Sequence, residues 1–161
     1  KCRCTPTQIR RYLNRVSGPF LDRIDIGVEV PRQDLGMMAA EKSIDEGSFP
    51  QTEQRNSSAV MRARVMEARA RQEKRFADES ISYNSQMTRR QIEEYCRLSG
   101  EDAVFLEKVE RQQGISARGH GKILKVARTL ADLDGQAEIG RTQLAEAIGF
   151  RSFEKKYWGN L

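Results

Sequence analysis

Apolar residues fall at helical spacing in most segments of this chain and alternate with polar ones in a single segment. In residues 6–16, Ile9, Leu13 and Val16 share one stripe, and Pro6 sits near the first turn, where its missing N–H costs nothing. The spacing predicts a short amphipathic helix ended by Gly18 and Pro19. Over residues 24–30, Ile24, Ile26, Val28 and Val30 alternate with Asp25, Gly27 and Glu29, which predicts a strand with one buried face. No other convincing strand follows, and a lone strand leaves its backbone groups unpaired, so its sheet is expected from residues outside this chain.

Prolines and glycines break up the pattern up to residue 55, a linker by composition. From residue 56 to about 77 a long helix is expected, capped by Ser57 or Ser58, with Ala59, Ala63, Met66 and Ala70 on one stripe and arginine over much of the rest. Thr88 followed by Gln91 is a capping box that opens a helix over about 88–98. Residues 101–113 give another, with Val104, Phe105, Leu106 and Val109 as its apolar positions and Gly114 as its stop. Ser116 opens a helix to residue 133 whose apolar face is Ile123, Leu124, Ala127, Leu130 and Ala131. A short last helix over 142–148 carries Leu144, Ala145 and Ile148.

The expected fold is therefore mainly α: a small helical bundle over 56–150, preceded by a short helix and one strand in 1–31 and a linker over 32–55, and followed by a tail at 151–161. A chain of 161 residues is long enough for one such core with an appendage and too short for two large domains. It opens on Lys1, and residues 1–25 hold no leading apolar run, as expected of a piece of a longer chain and not of a secreted precursor. No stretch approaches the roughly 20 apolar residues of a membrane span, so no membrane partner is expected. Cys2, Cys4 and Cys96 are an odd count without a disulfide framework, which suits a cytoplasmic setting. The excess of 28 Lys+Arg over 23 Asp+Glu, a net charge of +5, favours phosphate-rich partners only weakly, because most of these side chains are solvated or paired on helix surfaces.

Two places hold candidate chemistry. In the run Ser17 to Asp25, Arg23 stands at a proline-preceded corner; it either pairs locally with Asp22 or Asp25 or presents a planar guanidinium to a phosphate on another surface. At the start of the helix after Ser116, Arg118, Lys125 and Arg128 are expected opposite the apolar stripe, as a solvated basic face or as phosphate contacts. His120, the sole histidine, has no nucleophile nearby and reads as a surface or capping residue. Cys96 reads as a small buried hydrophobe. Arg62, Arg64, Arg69, Arg71 and Arg75 spread around the long helix as a soluble face or as contacts to DNA phosphates. The chain has no G-x-x-x-x-G-K-[ST] loop and no apolar run ending in paired acids, so by itself it is expected neither to bind ATP tightly nor to hydrolyse it.

The run CRCTPTQIRRYLNRVSGPFLDRIDIGVEV resembles the end of the ATPase core in the ComM group of magnesium-chelatase-like AAA+ ATPases, and GPFLDRIDI is also similar to the P-x-L-L-x-R-F-D-L stretch of MCM helicases. SARGHGKILKVARTLADLDG and IGRTQLAEAIGFR resemble the lid domain of the same group; the loop at 31–55 is poorly matched. The resemblance implies that Arg23 is an arginine finger supplied in trans to the ATP of a neighbouring subunit. It also implies that Arg118 is the sensor-2 arginine, with Arg128 in reserve. For the full-length protein it implies ATP and Mg2+ as cofactors, a homo-oligomeric ring, a hexamer, and helicase or branch-migration work on DNA during natural transformation. The alternatives are the ATPase subunit of magnesium chelatase and a stand-alone basic helical module that binds nucleic acid. Cys2-x-Cys4 resembles half of the group's set of zinc-binding cysteines, and two thiolates do not complete a tetrahedral site, so no bound metal is expected here.

Overall fold

Thr5 opens the first helix with a reciprocal cap: its backbone N–H donates to Gln8 Oε1 at 2.8 Å, and its hydroxyl accepts from the Gln8 N–H at 3.3 Å. Helix α1, Pro6–Leu13, follows with no buried residue. The computed structural model describes residues 3–30 and 57–151. The linker expected over 32–55, Cys2 and the tail beyond residue 151 lie outside the described residues.

Pro19 does not merely break the chain. It sits inside a single helical turn, α2, Gly18–Leu21, where a proline near the N-terminus removes no needed donor. Leu21 is its one buried residue.

The strand expected over residues 24–30 is not formed, and no strand occurs among the described residues. Gly27 N–H donates to the carbonyl of Phe150 at 2.9 Å, a helix-end residue and not a strand neighbour. Ile26, Val28 and Val30 stay exposed. Alternation encodes a two-faced ribbon, but a strand exists only where a second ribbon completes its ladder.

The remaining helices are α3, Ser58–Arg75; α4, Arg89–Tyr95; α5, Gly100–Gln113; α6, Ala117–Leu133; and α7, Arg141–Gly149. A 3-10 turn, Asn84–Gln86, precedes α4. Their starts are set locally. Ser57, Thr88, Ser99 and Ser116 each accept a backbone N–H of the helix that follows, and the Thr88–Gln91 box forms as the sequence predicts. Gly114 ends α5 in the left-handed region at φ 68°, a conformation that costs a residue with a Cβ about 1–2 kcal/mol.

Helix α6 is the axis of the bundle, packed by α3, α4, α7 and the 3-10 turn. Ile123, Leu124, Ala127 and Ala131 enter a core completed by Phe76, Met87, Cys96, Leu106, Ile139, Leu144, Ala147 and Ile148. Phe76 and Tyr95 meet edge to face at 5.4 Å, a favoured aromatic geometry. Burial pushes the Cys96 thiol up to about 11, so it stays a neutral core group. In α7 the buried small residue is Ala147; Ala145, expected inside, is exposed.

Helix α3 also departs from the expected stripe. Ala59, Ala63, Met66 and Ala70 are all exposed, and the residues it buries are Ala68 and Gln72. It docks through polar groups. Arg75 donates to Asp132 Oδ1 and Oδ2 at 2.5 and 2.8 Å and to Asn84 Oδ1 at 3.1 Å, and Arg71 donates to the Asp132 carbonyl at 3.1 Å. Asn84 adds a donor to Asp132 Oδ2 at 2.8 Å, and its own backbone N–H reaches Gln72 Oε1 at 3.3 Å. Apolar spacing could not find this contact, because α3 is held to α6 by one buried carboxylate. No helix among the described residues is long and apolar enough to cross a membrane.

Candidate functional site

The turn of α2 delivers Arg23 to its end, where the backbone N–H bonds to the Phe20 carbonyl at 3.0 Å. The Arg23 side chain is exposed, and its Nη1 donates to the Pro19 carbonyl at 2.6 Å. Both neighbouring carboxylates are engaged elsewhere. Asp22 Oδ1 accepts from Ser116 Oγ at 2.7 Å, with Arg118 and Arg151 guanidinium nitrogens each 3.8 Å from its carboxylate. Asp25 Oδ1 lies 2.7 Å from Lys122 Nζ. Local pairing with Asp22 or Asp25, one of the two readings open at the sequence level, is therefore not what the corner does with Arg23.

Ser116 ties that corner to the bundle. Its hydroxyl accepts the Gly119 N–H at 3.0 Å, starting α6, and donates to Asp22. Two residues on, Arg118 leaves the first turn with its side chain 57% exposed. One turn further, Lys122 reaches back to Asp25 and to the carbonyl of Arg23. Arg151 closes the far side, buried, with Nη1 donating to the Ile24 carbonyl at 2.9 Å.

Gly119 makes this approach possible. A Cβ there would lie 2.7 Å from Ile115 Cγ2 and 3.7 Å from Arg151 Nε. Alanine inside a helix ordinarily gains about 1 kcal/mol over glycine. At position 119 the clash should outweigh that gain, and Gly119→Ala is expected to lower stability by roughly 1 kcal/mol net, read from the midpoint of urea unfolding. A stabilised variant would mean that Ile115 can swing aside without loss.

Arg23, Arg118, Lys122 and Lys125 are among the cations lining a cleft of about 1000 Å³ bounded by α4, α5 and the first half of α6. Ile92, Leu106 and Leu124 line its apolar part, and Glu107 and Glu110 stand among its acidic residues. His120 is held by Glu110, Nδ1 to Oε1 at 2.6 Å, so the lone histidine has a local carboxylate partner. Lys125 Nζ donates to the Ser85 carbonyl at 2.9 Å, and Arg89, also at the cleft, pairs with Glu93 at 3.1 Å, while Arg23 and Arg118 are exposed. Two guanidinium groups at one cleft suit an anion with several oxygens, such as a polyphosphate. No group of three or more His, Cys, Asp or Glu residues able to hold a metal ion occurs among the described residues.

The expectation that Arg128 projects outward is corrected. It is 2% exposed and donates to Asp132 Oδ1 at 3.0 Å and to the carbonyls of Gln136 and Ala137 at 2.8 Å each. Burial lowers its pKa, opposed by the charge of Asp132. The helical wheel misplaced it because the C-terminal half of α6 is covered on more than one side. Sequence reading missed Lys122 and Arg151. Lys122 follows Arg118 by four residues and so shares its helix face, a usable signal. Arg151, grouped with the tail, closes the IGRTQLAEAIGFR run, which assigns it no role.

A family model described as magnesium chelatase, subunit ChlI C-terminal, matches residues 55–151, and one described as magnesium chelatase, subunit ChlI, matches residues 1–38. Among curated proteins, competence protein ComM of Haemophilus influenzae is 41% identical over 151 residues, covering 93% of this chain and 27% of that protein. The uncharacterized protein YifB of Escherichia coli is 40% identical over 153 residues, 95% of this chain and 28% of its own length. An uncharacterized Mycobacterium bovis protein is 30% identical over 150 residues. The chain thus spans little more than a quarter of the relatives it matches.

Proposed function

Because the chain belongs to the magnesium chelatase subunit ChlI family, with its C-terminal module over residues 55–151, we propose that it is the arginine-finger and lid portion of a ring-forming AAA+ ATPase. One observation carries this reading. Arg23 and Arg118, far apart in sequence, line one cleft while the carboxylates beside Arg23 are engaged by other residues.

In this reading a neighbouring subunit of a homo-oligomeric ring, a hexamer, brings its ATP and Mg2+ to that cleft. Arg23 then offsets the charge that builds on the transferring phosphoryl group, and Arg118 grips a phosphate oxygen and ties α6 to the nucleotide. Neither arginine needs a proton transfer, since a guanidinium stays charged throughout. In this reading the whole protein works in the cytoplasm and moves DNA by helicase or branch-migration work during natural transformation, a setting that the similarity to a protein named for competence supports.

The family's name keeps a second reading open, an ATPase driving magnesium insertion into a porphyrin. ATP-dependent displacement of a branched DNA, set against ATP-dependent magnesium insertion, separates the two. The stand-alone nucleic-acid module is less favoured, because Arg75 of the long helix is committed to Asp132 and not offered outward. Such a module would need salt-sensitive DNA affinity from residues 56–150 alone.

Arg118→Ala in the full-length protein tests the site. Turnover should fall by about 10²-fold, the usual loss for one aligned donor to a charged transition state. Unchanged turnover would remove Arg118 from the nucleotide site.

A further inference from the structure

We propose that Lys122 is a positioning residue that fixes where Arg23 stands. The inference rests on the reading of Arg23 as the residue presented to a neighbour's triphosphate, and it concerns what holds that residue in place.

Lys122 Nζ meets two acceptors at the corner, Asp25 Oδ1 at 2.7 Å and the main-chain carbonyl of Arg23 itself. Asp25 is 65% exposed, whereas the Lys122 side chain is only 16% exposed, so the apolar stem is packed and the ammonium is aimed. An ammonium has three donors, and at least two are used on the corner, so Lys122 is not set out as a phosphate ligand. A hydrogen bond to the carbonyl acts on the backbone that carries the Arg23 side chain. The corner is tied to α6 and the end of α7 by Ser116 to Asp22, Lys122 to Asp25 and the Arg23 carbonyl, Arg151 to the Ile24 carbonyl, and the Gly27 N–H to the Phe150 carbonyl.

Arg118 lies one turn before Lys122 on the same helix face. A shift of α6 that follows nucleotide engagement by Arg118 is thus carried to Arg23 through Lys122. The helix that senses the nucleotide also aims the finger.

The test uses the full-length protein and compares Lys122→Met, Lys122→Arg, Asp25→Asn and Arg23→Ala by steady-state ATP turnover, equilibrium nucleotide binding and thermal midpoint. Lys122→Met keeps the packed stem and removes the donors. It should lower kcat by about 10–10²-fold, the scale expected when a catalytic group is displaced by about 1 Å, with nucleotide Kd changed by less than about twofold. Lys122→Arg should recover most of the loss. In the Arg23→Ala background, Lys122→Met should have no further effect, because a residue that acts only through Arg23 has nothing left to position.

A kcat within twofold of the parent in Lys122→Met, or a loss that multiplies with that of Arg23→Ala, overturns the proposal. So does a Kd that weakens in step with kcat, which would make Lys122 a direct phosphate ligand. If Lys122→Met does not fold, Asp25→Asn serves in its place: the exposed carboxylate can be neutralised without disturbing the core, and kcat should fall by about 3–10-fold. No loss there counts against the proposal. Unchanged turnover in Arg23→Ala sinks the finger reading itself, whereas loss in Arg23→Ala without loss in Lys122→Met sinks only the positioning role.

Discussion

Arg23→Ala in the full-length protein is expected to cut ATP turnover by about 10³–10⁵-fold, the range attributed to an arginine finger, while nucleotide affinity stays close to that of the parent. The two quantities separate because the guanidinium acts on charge that develops during phosphoryl transfer and contributes little to the ground state. Lysine at this position should rescue poorly, since a compact ammonium does not reproduce the planar fork. The trans geometry has its own signature. Subunits carrying Arg23→Ala, mixed with subunits unable to bind nucleotide, should regain turnover, because each supplies what the other lacks at a shared interface. Loss of binding in proportion to turnover would mean that Arg23 holds its own subunit's nucleotide or supports the fold, and the cleft would need another explanation.

Asp132→Asn is expected to be the most destabilising single change in the helical bundle, at about 3–5 kcal/mol. The carboxylate is fully buried and takes hydrogen bonds from Arg75, Arg128 and Asn84. Neutralising it leaves two guanidinium groups, one of them buried, without their counter-charge. Equilibrium urea unfolding measures the loss, and a value below about 1 kcal/mol would show that α3 is held by something other than Asp132.

The same carboxylate predicts a pH dependence. Burial alone would push its pKa up, but hydrogen bonds from Arg75 and Asn84 and the charges of Arg128 and Arg75 outweigh it and hold the carboxyl below its ordinary value. A folded-state pKa below the unfolded one gives stability that is complete above the ordinary carboxylate range, near pH 4, and lost as pH falls through the folded value. The parent should therefore lose stability in acid more steeply than Asp132→Asn, which no longer carries that group.

Much of the candidate site was legible in the sequence, although not its assembly. Arg23 and Arg118 stand out through the residues around them, and both line the cleft. Arg128 stood out equally and lies in the interior, since its partners, Asp132 and the carbonyls of Gln136 and Ala137, are invisible to a wheel drawn for a helix with one covered face. Lys122 and Arg151 lie within the runs that carry the resemblance but take no role from it, and their importance comes from acceptors in residues 22–25, at the other end of the chain.

By itself the sequence determined where most helices begin and which face of α6 is apolar, because a serine or threonine cap, a Gly114 stop and an i, i+4 stripe act over one or two turns. Tertiary structure alone decided that residues 24–30 form no strand among the described residues, that α3 docks through Arg75, Gln72 and Ala68 instead of Ala59, Ala63 and Ala70, and that the Arg23 corner is tied to the start of α6. A ladder partner, a buried counter-charge and a distant carbonyl are supplied by residues far along the chain, and no local spacing encodes which of them will arrive.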